Sequence, residues 1–390
     1  MVAVIKNNLF SLYIIKIVFW FLLIMPVIVP FYYHFGLSTS QIFIIQAAYS
    51  LSMVLFEIPS GYIADRFGRK NSILTGAVLG FLGYLLYCFS GGFWEFMIAE
   101  IILGIGQSMI SGADSALLYD TLKSGNTEGD YIKYEGRMSS FGNFAESIGG
   151  ICGSLLAVIA IKMPFYIQCS LVFFAIPAAM FLKEPTMYTV HKTNLKDIFR
   201  IVRYTLHDNK RLRENALFSA IMGAATLSMA WLAQPFFLSV AIPIALFGVL
   251  WAVLNFSVGL SSFYAFKIAK NKTQTIVLWS IAILIPFFYV FLGIFVSQWA
   301  LVGLLAFYLL RGFVHPVLKD YIHNETPSEM RATVLSIRNF IIRIVFSITG
   351  PIIGYMTDKL SLGNTLIWAG VFYFVSSALV LLWHRNDRKK

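Results

Sequence analysis

The chain has 390 residues, of which 58% are hydrophobic and 13% charged, and its formal net charge is +11. Soluble domains average roughly 45–50% apolar and about 25% charged residues, so this composition excludes an ordinary soluble protein. We do not expect nucleic-acid binding, because the excess of cations is better explained by membrane topology.

Apolar runs long enough to cross a bilayer, roughly 17 to 25 residues each, recur along the chain. They lie near residues 10–33, 40–60, 72–90, 94–122, 138–161, 164–182, 215–239, 243–266, 274–296, 299–322, 332–356 and 364–383. Only helices or a closed barrel satisfy backbone amides in lipid, and these runs lack the two-residue alternation of a barrel. The sequence therefore predicts an all-α integral membrane protein with twelve transmembrane helices.

The distribution of Lys and Arg predicts the orientation in the membrane. If Met1 is cytoplasmic, 24 of the 30 cations fall on the cytoplasmic side and only Lys162 and Lys359 on the other. The remaining four lie inside predicted helices: Lys16, Arg311, Arg338 and Arg343. Cytoplasmic segments are enriched in cations, so we expect both termini to lie in the cytoplasm. We expect the protein to lie in the plasma membrane, which in a bacterium is the inner membrane.

One long polar segment divides the chain. The predicted organisation is a six-helix half at residues 1–182, a cytoplasmic linker at 183–213, and a second six-helix half at 214–390. Within the linker, one helical face carries Leu195, Ile198, Phe199, Val202 and Leu206, with basic residues elsewhere. Such a helix either lies on the anionic membrane surface or packs beneath the helix bundle.

The two halves show weak internal similarity at a nearly constant offset. Gly112 and Asp120 correspond to Gly312 and Asp320 at an offset of 200, and Arg137, Gly149 and Gly153 correspond to Arg338, Gly350 and Gly354 at an offset of 201. Repeats of this kind place a substrate site near the bilayer midplane between the halves.

The loop after the second predicted helix reads Gly61-Tyr-Ile-Ala-Asp65-Arg-Phe-Gly68-Arg69-Lys. It resembles the signature cytoplasmic loop of the Major Facilitator Superfamily. Physical reasons support these residue types: Gly68 permits a tight turn with positive φ, Asp65 can accept hydrogen bonds at a helix N-terminus, and Arg69 offers a planar fork to a carboxylate. We expect Asp120 to be the partner of Arg69.

The resemblance implies two six-helix halves around a central cavity and a secondary transporter that works by alternating access, not an enzyme. It also implies a cytoplasmic gate. The predicted gate residues are Gly61, Asp65, Gly68, Arg69, Asp120 and Arg137. The alternative is a loop that only fixes topology and has no gating role.

Charged side chains inside a membrane normally face the interior of the bundle, so they are candidate site residues. In the fourth predicted helix a polar face runs from Glu100 through Gln107 to Asp114, and in the tenth a basic stripe runs from Arg311 through His315 to Lys319. The resemblance places the first, fourth, seventh and tenth helices around the cavity. The candidates for the substrate or proton site are Gln107, Asp114, Glu146, Trp231, Gln234, Arg311, His315 and Arg343.

Each candidate has a less specific alternative. Asp114 and Glu146 are the proton-coupling candidates, but they, Arg311 and Arg343 can also form internal ion pairs without touching a ligand. His315 either shuttles protons or is a hydrogen-bonded packing residue. Trp231 and Gln234, one turn apart, can supply a stacking surface and a hydrogen bond; alternatively, Trp231 faces lipid or lies in the core. Lys16 and Arg338 are expected to snorkel to the cytoplasmic boundary.

The leading hypothesis is a proton-coupled carrier of a small polar or amphiphilic molecule, acting as a monomer in contact with lipid, with export slightly favoured. Drug–proton antiporters of the superfamily usually carry an arginine in the fourth helix and a Gly-Pro pair in the fifth; here stand Glu100 and Gly149-Gly150. The alternative is a non-transporting receptor or a membrane-embedded enzyme on the same scaffold. Catalytic motifs are absent from the sequence, and we expect no cofactor or metal. Membrane-embedded acids and bases nearly balance, which leaves the charge of the ligand open.

Overall fold

The computed structural model describes residues 2–184, 200–270, 272–327 and 330–387. These residues form helices and no β-strand, and twelve of the helices are long and apolar enough to cross a membrane, as predicted. They are α1 Val4–His34, α2 Thr39–Phe67, α3 Arg69–Phe89, α4 Phe93–Ser124, α5 Lys133–Ile159, α6 Met163–Phe181, α7 Lys210–Ser239, α8 Ile244–Ala265, α9 Gln274–Ile294, α10 Gln298–Asn324, α11 Thr333–Lys359 and α12 Leu362–Trp383.

Half of the predicted amphipathic linker helix, including Leu195, Ile198 and Phe199, lies outside the described residues. In the described half, Tyr204–Asp208 form a π-helical turn that leads into α7. Tyr204 packs against a small buried cluster that includes Leu212 and Ile322. This end of the linker is therefore attached to the helices that follow it.

The chain packs as two compact units. Unit 1 consists of Met1–Leu37, Ala48–Lys192 and Pro243–Ala252, and unit 2 of Ser38–Ala47, Thr193–Ile242 and Val253–Lys390. The packing units therefore differ from the two halves of the sequence in two segments, the first turns of α2 and of α8. Each of these segments packs with helices from the other half of the sequence.

One hydrophobic cluster of unit 1 is built mainly from α1, α3, α4 and α6. Its buried members are Leu12, Ile15, Ala64, Ile73, Ala77, Ala113, Leu117, Leu118, Leu122, Met138, Ala175, Ala178, Ala179 and Leu182. Small residues let the backbones approach closely, since a Cβ at Gly76 would lie 2.8 Å from the carbonyl oxygen of Gly106. Close backbone approach of this kind is the usual basis of helix packing in membranes.

Helix α1 is broken in its middle. Its regular part ends at Trp20, and after four residues a single 3₁₀ turn begins at Met25. Pro26 has no N–H to donate to the carbonyl four residues earlier, which favours a break at this point. The amide of Leu23 instead donates to Oε1 of Gln168 on α6 at 2.9 Å, so a buried side chain satisfies the backbone group that the break releases.

Helix α4 is also interrupted. Its first part is Phe93–Ile110 and its second part Ala113–Ser124. Gly112 between them has φ +85°, a conformation that glycine adopts readily and other residues rarely do. The second part therefore starts a new N-terminus inside the membrane segment, with Asp114 in its first turn.

In unit 2, α11 contacts the start of α2. Asp358 accepts hydrogen bonds from the backbone N–H groups of Thr39 and Ser40, at 2.9 and 2.8 Å. A Cβ at Gly354, one turn earlier, would lie 2.8 Å from the Cα of Ser40. A carboxylate at a helix N-terminus stabilises that end, so Asp358 fixes the start of α2 against α11.

Large apolar side chains cover much of the molecular surface. Among the most exposed are Phe89, Trp94, Ile159, Phe256, Phe263, Trp299, Val302 and Leu379. Soluble monomers rarely expose so much contiguous apolar surface, whereas lipid-facing helices require it. The surface agrees with a multi-pass membrane protein.

Candidate functional site

The predicted gate loop between α2 and α3 forms a tight turn. Gly68 has φ +97°, as predicted for a residue whose turn requires glycine. The amide of Lys70, in the first turn of α3, donates to Oε1 of Glu184 at 2.6 Å. The carboxylate that caps a helix here is thus Glu184 rather than Asp65, for which the described residues show no hydrogen bond or ion pair.

Arg69 forms the contact that the sequence predicts. Its Nη1 pairs with Oδ2 of Asp120 and also donates to the carbonyl oxygen of Ala116 at 2.5 Å. Both acceptors lie on the second part of α4, so the guanidinium ties the loop to that helix. The two remaining gate candidates do not join this contact: Arg137 is exposed and lies over the ring of Tyr134, and a Cβ at Gly61 would have no atom within 4 Å.

An ion pair joins α1 to the second part of α4. Nζ of Lys16 lies 3.4 Å from Oδ2 of Asp114, and it also lies 5.1 Å from the ring centroid of Trp20. The two charged side chains are only 18% and 12% exposed. Lys16 was expected to snorkel to the boundary; the structure shows that it turns inward, because a carboxylate on the neighbouring helix neutralises it.

The acid side of this pair continues through hydrogen bonds. Oδ1 of Asp114 accepts from the amide of Ser115 at 2.7 Å, and the hydroxyl of Ser115 donates to Oε1 of Glu135 on α5 at 3.1 Å. Oε2 of Glu135 is buried and has no hydrogen-bond partner among the described residues. Burial, followed by the charge of Glu135, raises the pKa of Tyr131 just before α5.

Glu100 in the first part of α4 accepts hydrogen bonds from two tyrosine hydroxyls. The hydroxyl of Tyr87 donates to Oε1 of Glu100 at 2.6 Å, and that of Tyr32 donates to the same oxygen at 3.3 Å. The two tyrosine hydroxyls also contact each other. All three side chains are buried, beside the aromatic rings of Phe31 and Phe96.

Cations gather on α10 and α11 of unit 2. The guanidinium of Arg311 lies 5.4 Å from the ring centroid of Tyr308, and His315 lies within electrostatic reach of Arg311, Lys319 and Arg338. Arg338 is only 3% exposed and donates from Nε to Oγ of Ser219 at 2.5 Å. The expectation that Arg338 snorkels is therefore wrong, since its guanidinium is held inside the unit.

The other predicted site residues occupy separate positions. Gln107 lies half-buried in the first part of α4, and Glu146 lies half-buried on α5. On α7, Gln234 is buried and Trp231 half-buried; Arg343 on α11 is half-buried. The described residues contain no group of three or more His, Cys, Asp or Glu placed to hold a metal ion.

Sequence reasoning missed Glu135, and it gave Lys16 and Arg338 the wrong surroundings. The positions of Lys16 and Arg338 inside apolar runs were visible, but their partners lie on other helices and no spacing along one helix reveals them. Glu135 lies just before the predicted start of the fifth apolar run, so it was not among the candidate residues inside the membrane.

Comparison with known proteins identifies the family. The sequence profile of the Major Facilitator Superfamily matches residues 9–349. The chain belongs to the Major Facilitator Superfamily. Membership in this transporter family accounts for the twelve helices and indicates a transporter rather than an enzyme.

Relatives with curated names cover only part of the chain. The quinolone resistance protein NorA of Staphylococcus aureus is 26% identical over 144 residues, which is 37% of this chain and 36% of NorA. An uncharacterized transporter of Buchnera aphidicola is 36% identical over 78 residues, 20% of this chain and 19% of that protein. The matched regions thus span little more than a third, or less, of these superfamily relatives.

Solved superfamily structures match the whole fold at low identity. The nucleoside transporter NupG superimposes with a TM-score of 0.80 at 12% identity, covering 97% of this chain and 98% of that one. A bacterial homolog of the human lysosomal transporter Spinster gives 0.75 at 16% identity, covering 99% and 98%. At these identities the likeness shows the fold alone.

Proposed function

We propose that this superfamily member is a proton-coupled secondary transporter that moves a small polar or amphiphilic molecule across the plasma membrane by alternating access. Both termini lie in the cytoplasm in this proposal. The partners are the transported molecule, the coupling proton and the surrounding lipid, and the protein acts as a monomer.

The largely buried pair of Lys16 and Asp114 supports the proposal of proton coupling. Its two charges neutralise each other in a membrane segment, where an unpaired charge costs on the order of 3 kcal/mol or more. A proton on Asp114 removes one charge and releases the ammonium group of Lys16. Loading and unloading this one proton therefore changes what holds α1 to α4, which is the response that a proton-driven carrier needs.

The hydrogen bonds beyond the pair support this role. Asp114 connects through Ser115 to Glu135, whose second carboxylate oxygen is buried without a described partner. Two carboxyl groups and one ammonium group thus share a small region of unit 1. Asp114 accepts from the amide of Ser115 and Glu135 accepts from its hydroxyl, so Glu135 is a second proton acceptor close to the pair.

The preference for export rests on similarity to NorA, whose name associates it with quinolone resistance. Because that similarity covers 37% of this chain, it favours a direction without naming a substrate. A receptor on the same scaffold would bind a ligand without moving it.

Purified protein in proteoliposomes tests the proposal. Vesicles loaded with the pH-sensitive dye pyranine are exposed to compounds that raise the melting temperature of the protein. We expect at least one compound to drive proton flux through wild-type protein and none to do so through Asp114→Asn. Compounds that accumulate with no proton movement would overturn the coupling, and compounds that bind but never cross would favour a receptor.

A further inference from the structure

Unit 2 carries a set of cations that its own carboxylates do not neutralise. Arg311 and Arg343 lie well inside the membrane-spanning parts of α10 and α11, and Arg338 lies closer to the start of α11. The described carboxylates on the spanning helices of unit 2 lie nearer the helix ends: Glu214, Asp320 and Asp358. In the described part of unit 2, no carboxylate lies within 4 Å of the three arginines.

Arg338 shows most clearly that this charge is uncompensated. It is 3% exposed, and its hydrogen bonds go from Nε to the Ser219 hydroxyl at 2.5 Å and from Nη1 to the side-chain oxygen of Asn339 at 3.3 Å. Both acceptors are neutral. A guanidinium in this setting is destabilising, because neutral acceptors replace only part of the hydration that it has lost. We therefore expect Arg338 to be needed for binding rather than for stability.

The neighbouring stripe on α10 offers more unused donors. Arg311, His315 and Lys319 follow one another every four residues, over roughly 12 Å of helix, so they share one face. His315 and Lys319 are exposed, and charged side chains on a membrane helix face water or a ligand rather than lipid. The guanidinium of Arg311 lies beside Tyr308, 5.4 Å from the centroid of its ring.

Unit 1 differs from unit 2 in this respect. Its membrane-embedded cation, Lys16, has Asp114 as a partner at 3.4 Å. Acids and bases inside the membrane nearly balance in the sequence as a whole. Asp114, however, is already paired within its own unit. The donors of unit 2 are left for an acceptor that is not a side chain of that unit.

Guanidinium groups bind carboxylate and phosphate oxygens through two parallel hydrogen bonds, and a basic cluster adds long-range attraction. We infer that the transported molecule carries an anionic oxygen group, a carboxylate or a phosphate, which Arg311 and Arg338 hold with His315 and Lys319 beside them. The inference rests on the proposed transport function and names the chemical class of its substrate.

Matched probes on one scaffold test the charge requirement. Benzoate, phenyl phosphate, benzamide and benzylamine are titrated against the purified full-length protein while its melting temperature is recorded. We expect one or both anions to raise it in a saturable manner, and the neutral and cationic probes to leave it unchanged. A stronger effect of benzoate or of phenyl phosphate then distinguishes a carboxylate from a phosphate.

Variants assign the effect to the cluster. Arg311→Gln and Arg338→Gln should each weaken the anion effect at least tenfold, whereas Arg203→Gln, which removes a cation that is 74% exposed, should not change it. Arg338→Met in the absence of probe should keep or raise the melting temperature, because an uncompensated buried charge is removed. A large fall in melting temperature with anion binding intact would show that Arg338 is purely structural and would overturn its assignment.

The result separates this inference from the proposed function. An anion that binds to the cluster but is not transported contradicts transport and leaves the binding site standing. Proton-coupled transport of benzylamine alone would support transport and contradict an anionic substrate. A panel in which no anion changes the melting temperature would also overturn the inference.

Discussion

The charged side chains of Lys16 and Asp114 neutralise each other inside the membrane protein. Lys16→Met or Asp114→Asn leaves one charge of the pair without its counterpart. We expect each single variant to lower transport at least tenfold and to lower the stability of the protein. The double variant should regain part of that stability. Because both side chains keep some exposure, we expect a coupling of about 1–3 kcal/mol, below that of a fully buried pair.

The pair of Asp130 and Lys133 is the matched control for this cycle. Both side chains are about half exposed and lie 3.7 Å apart. Solvent screens such pairs, so the same cycle there should give a coupling below about 0.5 kcal/mol. Equal couplings in the two cycles, measured by thermal unfolding, would contradict the structural role of burial.

The gate loop offers a second prediction at this scale. Arg69→Ala or Asp120→Asn should reduce transport at least tenfold while expression and membrane insertion stay normal, because each removes the tie between the loop and α4. Arg66→Ala is the control, since Arg66 is exposed and its described hydrogen bond goes to the Tyr62 hydroxyl. Wild-type transport rates in the Arg69 variant would remove the loop from the transport cycle.

The signature loop allowed the contact of Arg69 with Asp120 to be predicted, but the cap of α3 could not be. Asp65 is the carboxylate nearest to the loop glycine in the local sequence. Glu184 reaches the amide of Lys70 from the end of α6, more than a hundred residues later. Local spacing determines which residue types suit a turn; the packing of distant helices determines which of them meet.

At the scale of helices, residues that correspond in the internal repeat have different structural roles. Gly112 interrupts α4 with a positive φ, whereas Gly312 lies in continuous α10, where a Cβ would overlap the backbone of Val258 on α8. Glycine alone encodes neither a break nor a close approach. The helix count followed from hydrophobicity, whereas several helices extend beyond the predicted apolar runs, such as α2 to Phe67 and α5 from Lys133. The breaks in α1 and α4 are not visible in hydrophobicity either.

The glycines of α5 give a direct test of the break in α1. A Cβ at Gly153 would overlap the carbonyl oxygen of Leu23, within the unwound segment. Gly153→Ala should therefore lower the free energy of unfolding by roughly 1–3 kcal/mol, the usual cost of overpacking. Gly136→Ala on the same helix, where a Cβ meets nothing within 4 Å, should be neutral or slightly stabilising. Thermal unfolding of the two variants in detergent compares them, and equal melting temperatures would contradict the close contact.

The contact of α11 with α2 gives a prediction of its own. Asp358→Asn keeps the shape of the side chain but removes the charge at the start of α2, and it should cost about 1 kcal/mol of stability. Asp320→Asn is the control, because Asp320 is exposed and its described hydrogen bond comes from the side chain of Asn324. If both variants melt together with wild type, the capping bonds contribute nothing.

For the whole molecule, the distribution of cations predicts the topology. Single cysteines at Asn126 and Lys270, in a background without Cys88, Cys152 and Cys169, should react with an impermeant maleimide only from the cytoplasmic side. A cysteine at Gly91, between α3 and α4, should react from outside intact cells. Labelling of Asn126→Cys from outside would reverse the orientation.

The exchange of short segments between the packing units has a consequence for biogenesis. Residues 243–252 complete unit 1, although they follow all six helices of the first half and the whole of α7 in the sequence. During synthesis, the first half therefore enters the membrane without its last packing segment and receives it only after the start of α8 has left the ribosome. A chain that ended in the linker would be a six-helix fragment in which Gly150 of α5 lacks its contact with Gly248.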